Sequence, residues 1–147
     1  MTDLLAAEPL ILDRLKTITG VTGLKVASTA SVVGTLDIAA QCPALFLHPG
    51  ASEIGAEIQR GLAQSEEEEW EVVAAVKLIP DPTNLAKTYQ SEAGSLLNKV
   101  VEKLVGWAPS SDFGAMRYAG RDKPEVMPGH AEFGLRFKVR RLIESVN

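Results

Sequence analysis

Trp70-Glu71-Val72-Val73-Ala74-Ala75-Val76-Lys77-Leu78-Ile79 decides the fold. Trp70, Val72, Ala74, Val76 and Leu78 fall on one side of an extended chain. Glu71, Val73, Ala75, Lys77 and Ile79 fall on the other, which is the two-residue period of a strand. Pro80-Asp81-Pro82 ends it, because proline brings no N–H to a ladder. Asn84 (or Thr83) then caps a helix whose stripe is Leu85, Tyr89, Ala93, Leu96, Leu97, Val100, Val101 and Leu104, with Lys87, Glu92, Lys99 and Glu102 opposite. Gly106 stops this helix and Pro109 prevents its continuation. Burying its large aliphatics offers on the order of 10 kcal/mol, most of it offset by ordering entropy. The helix therefore needs a sheet to lie on.

Downstream, Phe113–Tyr118 reads as a strand and residues 119–131 as a long exposed loop, with Pro128-Gly129 suited to a type II turn. Glu132 to Arg140 alternates again, Phe133, Leu135, Phe137 and Val139 inward and Glu132, Gly134, Arg136, Lys138 and Arg140 outward. Upstream, Thr2 or Asp3 caps a first helix carrying Leu5, Ile11, Leu12, Leu15 and Ile18. Pro9 obliges that helix to start near Glu8 or to bend, and Gly20 and Gly23 close it. Leu24–Ser28 is a short strand, and residues 29–41 are apolar but weakly periodic. Pro43-Ala44-Leu45-Phe46-Leu47-His48 is a strand suited to cover on both faces, ended by Pro49-Gly50. Glu53–Gln64 reads as a short helix or a loop, and Glu66–Glu69 as a solvated lead-in to the Trp70 strand. The sum is one α+β domain over residues 1–147, an antiparallel or mixed sheet with helices mainly on one face.

A length of 147 residues suits one domain, and 46% hydrophobic with 23% charged residues is an ordinary globular composition. Net charge is −4 and the pI about 5.2, so no global basic field draws nucleic acid. Charge is nevertheless segregated. Between Glu53 and Glu71 stand seven acids and one base, Arg60; between Asp112 and Arg141 stand seven bases and four acids. Cys42 is alone, which excludes an intrachain disulfide. The start lacks a basic signal-peptide region, and Ile38–Ser52, the longest uncharged run, is too short to span a bilayer. These features place folding in a cytoplasm, away from membranes.

Chemistry finds little purchase. Cys42 and His48 are six residues apart and His130 is remote, so no nucleophile–base spacing stands out, and a buried cysteine commonly acts as a small hydrophobe. Two histidines and one cysteine do not make a metal-ligand set. His48 reads as a strand-end residue and His130 as a turn residue. Neither GxxxxGK[ST] nor GxGxxG occurs. The expectation is a protein without catalysis, cofactor or metal. The basic stripe Arg136, Lys138, Arg140 is what remains, projecting from one side of the last strand. It suits an acidic partner or a phosphate backbone, although no interleaved aromatics offer a stacking platform.

Taken in order, Leu10–Ile18, Pro43–Leu47, Trp70–Val76, the helix through Leu96–Trp107 and the closing strand Phe133–Val139 resemble the phage tail terminator proteins. The resemblance spans almost the whole chain; Pro9 departs from it by shortening or bending the first helix. It implies a homo-oligomeric ring, commonly six-fold, that binds the end of the completed tail tube at its head-proximal end. The ring would halt subunit addition and offer a surface to a head-completion or connector protein, with DNA passing through its lumen. It supplies no catalytic residues. A cyclic ring uses heterologous contacts, so the acidic Glu66, Glu67, Glu68, Glu69 and Glu71 of one copy are expected to meet the basic Arg136, Lys138, Arg140 and Arg141 of the next. The loop holding Arg121 and Lys123 is the second expected interface. Another tail-completion or head–tail connector protein, and a ligand-binding regulatory α+β domain, are the competing readings.

Overall fold

The computed structural model describes residues 3–29, 37–58, 60–78 and 85–144. Its elements are helix α1 (Ala7–Leu15), strand β1 (Lys25–Ser28), a 3-10 turn (Ala39–Gln41), strands β2 (Ala44–Ile58) and β3 (Ala63–Lys77), helix α2 (Leu85–Leu104), and strands β4 (Arg117–Arg121), β5 (Glu125–Met127) and β6 (His130–Glu144). They build a mixed α+β fold around one six-stranded sheet of order β1-β2-β3-β6-β4, with β5 also on β6. Among the described strands, only the β1–β2 pair is parallel.

The Trp70 alternation holds in three dimensions. Trp70, Val72, Ala74 and Val76 join Leu45, Leu47, Leu135, Phe137 and Val139 in one core. Over them lie Ile11 and Leu15 of α1 and Ala93, Leu96, Val100 and Leu104 of α2. Among the described residues, the opposite face is covered only at one end, where Ala44, Phe46 and Ala75 pack with Ile38 and Cys42. The strand Ala44–Leu47 is thus buried on both faces, as its unbroken apolar run requires.

Several boundaries differ from expectation. Pro49-Gly50 does not end β2, and Glu53–Gln64 is neither helix nor loop: β2 and β3 form one long hairpin, with Ala44 opposite Ala75 and Ile58 opposite Ala63. The ladder absorbs the proline through an extra residue between Pro49 and Ser52, and a second between Ile54 and Glu57. Each irregularity contains a glycine in close quarters. A Cβ on Gly50 would lie 3.0 Å from the Glu69 carbonyl oxygen, and one on Gly55 only 2.0 Å from Ser65 Oγ. Glu66–Glu69 is accordingly strand, within β3.

The expected loop 119–131 contains the end of β4 and all of β5. The strand expected over Phe113–Tyr118 begins only at Arg117, with Phe113 making an isolated bridge to Arg141. Met127 pairs with His130 across Pro128-Gly129, where Gly129 has φ 85°, the left-handed value a type II turn asks of its third residue. Pro9 is the third residue of α1, where its missing N–H has no helical acceptor to lose. Asp3 accepts from the Leu5 N–H in the turn before that helix. Gly106, at φ 79°, closes α2 and donates to the Met116 carbonyl. The proposed strand stop at Pro80–Pro82 and the Thr83/Asn84 cap lie outside the described residues.

Phe137 is fully buried at the centre of the helix-covered face. Phe137→Ala is expected to cost about 3–5 kcal/mol of unfolding free energy in urea titrations; a cost below about 1 kcal/mol contradicts its placement there.

Candidate assembly surface

The segregated charges meet across the β3–β6 ladder. Its register sets Glu66 opposite Arg141, Glu67 opposite Arg140, Glu69 opposite Lys138 and Glu71 opposite Arg136. Opposite charges facing across an antiparallel pair stabilise it, while like charges would repel. The acidic and basic segments expected to join two copies therefore already face each other inside one chain.

Because strand residues alternate between faces, the belt splits in two. On the face away from the helices, Glu67 gathers three cations: Arg117, Arg140 through Nε at 3.0 Å, and Lys138 at 3.8 Å. The Arg140 hydrogen bond, with the charges of Arg117, Arg140 and Lys138, holds the Glu67 carboxyl below its ordinary value. Further along, Arg136 Nε stands 3.2 Å from Asp122. Glu71 also meets Asp122, over Gly134, where a Cβ would come within 3.0 Å of Asp122 and 3.4 Å of Glu71. Burial first, then the adjacent Asp122 carboxylate, pushes the Glu71 carboxyl up.

The helix-side half is a buried network around Arg141. Its guanidinium donates to the carbonyls of Asp3 at 3.0 Å and Leu4 at 2.9 Å, and lies over the Phe113 ring. Two carboxylates attend it, Glu66 at 3.5 Å and Glu68 at 3.8 Å. Glu68 also accepts from Trp70 Nε1 at 2.9 Å. Burial raises the Glu68 carboxyl despite the opposing pull of Trp70 and Arg141.

Arg121 and Lys123 stand apart from this belt, exposed where β4 ends on the far side of β6. Neither has an ion pair or side-chain hydrogen bond among the described residues. Sequence reading missed Arg117 and Asp122 as members of the belt. Their signal is weak, since each becomes legible only once β4 is known to lie against β6. His130 is not a turn residue: it opens β6, is buried, and its Nε2 lies 2.9 Å from Glu132. Cys42 Sγ sits 3.3 Å from the Ile38 carbonyl, and burial raises its thiol. Among the described residues no group of three His, Cys, Asp or Glu side chains is placed to hold a metal ion, and no helix is long and apolar enough to cross a membrane.

Comparison with known families finds one described as phage tail terminator protein, whose model matches residues 1–146. No curated protein matches the chain.

Arg141→Met is expected to lose about 3–5 kcal/mol of stability, because it leaves two carboxylates and two carbonyls without their cation. Urea unfolding measures it, and a neutral result contradicts the network. Glu68 supplies a pH test. A carboxyl whose folded pKa is raised binds more protons folded than unfolded, so its contribution is present at low pH and is lost as pH rises through the window above the ordinary carboxylate value. Glu68→Gln is expected to be at least as stable as the wild type at neutral pH and to flatten that fall. A steeper fall in the variant contradicts the assignment.

Proposed function

The chain belongs to the phage tail terminator protein family, a structural component of the virion tail, and on that premise we propose that copies of it close into a ring, six-fold, at the head-proximal end of the tail. The ring caps the finished tail tube, stops further subunit addition and offers its other side to a head-completion or connector protein. It acts by surface complementarity, without transforming a substrate.

The observation that carries this reading is the lopsided cover of the sheet. Among the described residues both α-helices lie on one face, while the other is covered only at its Ala44–Phe46 end. The remainder of that face presents the charge belt, in which Glu67 stands among Arg117, Lys138 and Arg140, and Asp122 beside Arg136. A mixed-sign surface of this kind docks a complementary protein surface by register and shape, since exposed ion pairs contribute only about 0–1 kcal/mol each.

Two measurements test the proposal. Mass photometry of the purified protein is expected to give a discrete species near six copies. Tail tube protein polymerising in its presence is expected to give tubes that stop growing once capped. A lone subunit at every concentration, with tube growth unaltered, overturns the proposal.

A further inference from the structure

We propose that the cleft between α1 and α2 is a docking site for an acidic protein segment, whose aspartate or glutamate side chains enter it. The cleft measures about 370 Å³ and is lined by Arg14, Ile18, Thr19, Lys99, Glu102 and Lys103. It lies on the helix side of the sheet, away from the Glu67 belt, and binding there stands whether or not copies form a ring.

The cations of this cleft are held in place, yet no carboxylate neutralises them. Arg14 Nε donates to the Lys103 carbonyl at 2.9 Å, in the last turn of α2, and its guanidinium lies over the Trp107 ring. Lys99 Nζ donates to the Thr19 carbonyl at 2.9 Å, beyond the end of α1. Gly20, at φ 80°, makes room for that ammonium: a Cβ there would lie 2.6 Å from Nζ. Carbonyl oxygens carry only partial negative charge, so these two contacts fix the cations without cancelling them. Lys103 stands one turn from Lys99 on the same face of α2, where like charges repel. The acid placed to relieve them, Glu102, accepts instead from Asn98 Nδ2 at 2.8 Å. Among the described residues none of the three cations has a carboxylate within ion-pair distance. All three are half-buried, which strengthens their pull on an incoming anion.

Charge and shape select the occupant. Three cations against the single Glu102 leave the cleft positive. A carboxylate takes charge-assisted hydrogen bonds from a guanidinium and from ammonium groups together. The phosphates of duplex DNA sit on a rigid convex backbone and require an open, extended basic stripe. Here the cations are recessed and gathered in one place, and the whole chain carries a charge of −4. Such a cleft suits the side chains of an acidic peptide better than a phosphate backbone.

Titration with hexaglutamate at low salt tests this, with Trp107 fluorescence as the reporter because the Arg14 guanidinium lies 5.4 Å from the centre of its ring. Saturable binding is expected, and Lys99→Gln/Lys103→Gln is expected to weaken it about tenfold or more. Arg121→Gln/Lys123→Gln removes as many cations elsewhere and is expected to change the affinity by less than about twofold. Glu102→Gln keeps an acceptor for Asn98 and is expected to tighten binding, a gain that no folding defect in the lysine variant can imitate. No saturable binding, an equal loss in both double variants, or weaker binding by Glu102→Gln overturns the cleft as the site. A short DNA duplex that binds more tightly than the peptide, with the same dependence on Lys99 and Lys103, overturns the acidic segment in favour of a phosphate backbone.

Discussion

The rest of the structure depends on the antiparallel ladder between β3 and β6. It runs without interruption from Ala63 opposite Glu144 to Lys77 opposite His130. Fifteen-residue strands span about 50 Å, more than α2, at about 30 Å for 20 residues, can cover even when it lies along them. The Trp70–Val76 half buries a conventional apolar core beneath both helices. Over Glu66–Glu69 apolar burial gives way to cross-strand ion pairs, which favour the register of the strands there. One pair of strands is thus sustained by two kinds of force along its length.

Arg141 sits at the junction of the two regimes. It is buried, and it ties the backbone leading into α1 to the acidic stretch of β3. A buried guanidinium costs desolvation, and the attending carboxylates and carbonyls must offset it. The carboxyls on β3 accordingly respond to pH in opposite senses. Glu67 is lowered chiefly by the Arg140 hydrogen bond, so its contribution is present at neutral pH and lost as pH falls through its depressed folded value. Glu68 and Glu71 are raised chiefly by burial, so theirs declines as pH rises above the ordinary carboxylate range. Adjacent residues on one strand differ because alternation sends one side chain to solvent-borne cations and the next into the protein.

The sequence made some of this legible and concealed the rest for physical reasons. Strong periodicity was a sound guide: the Trp70 alternation, the stripe through Leu96, Val100 and Leu104, and the inward set Phe133–Val139 all fold as read. Pro49-Gly50 misled because a proline–glycine pair marks both a strand end and a bulge, and only the partner strand decides between them. Glu66–Glu69 looked solvated because four acids in a row have no intrinsic strand preference. Their strand state comes from bases some 70 residues away, which a local pattern cannot see. The segregation of charge was a real signal, and within the chain its two blocks face each other across β3 and β6. Opposite-sign blocks in one chain are as able to pair with each other as with a neighbour, and only strand register, which local patterns do not carry, shows that these two face each other.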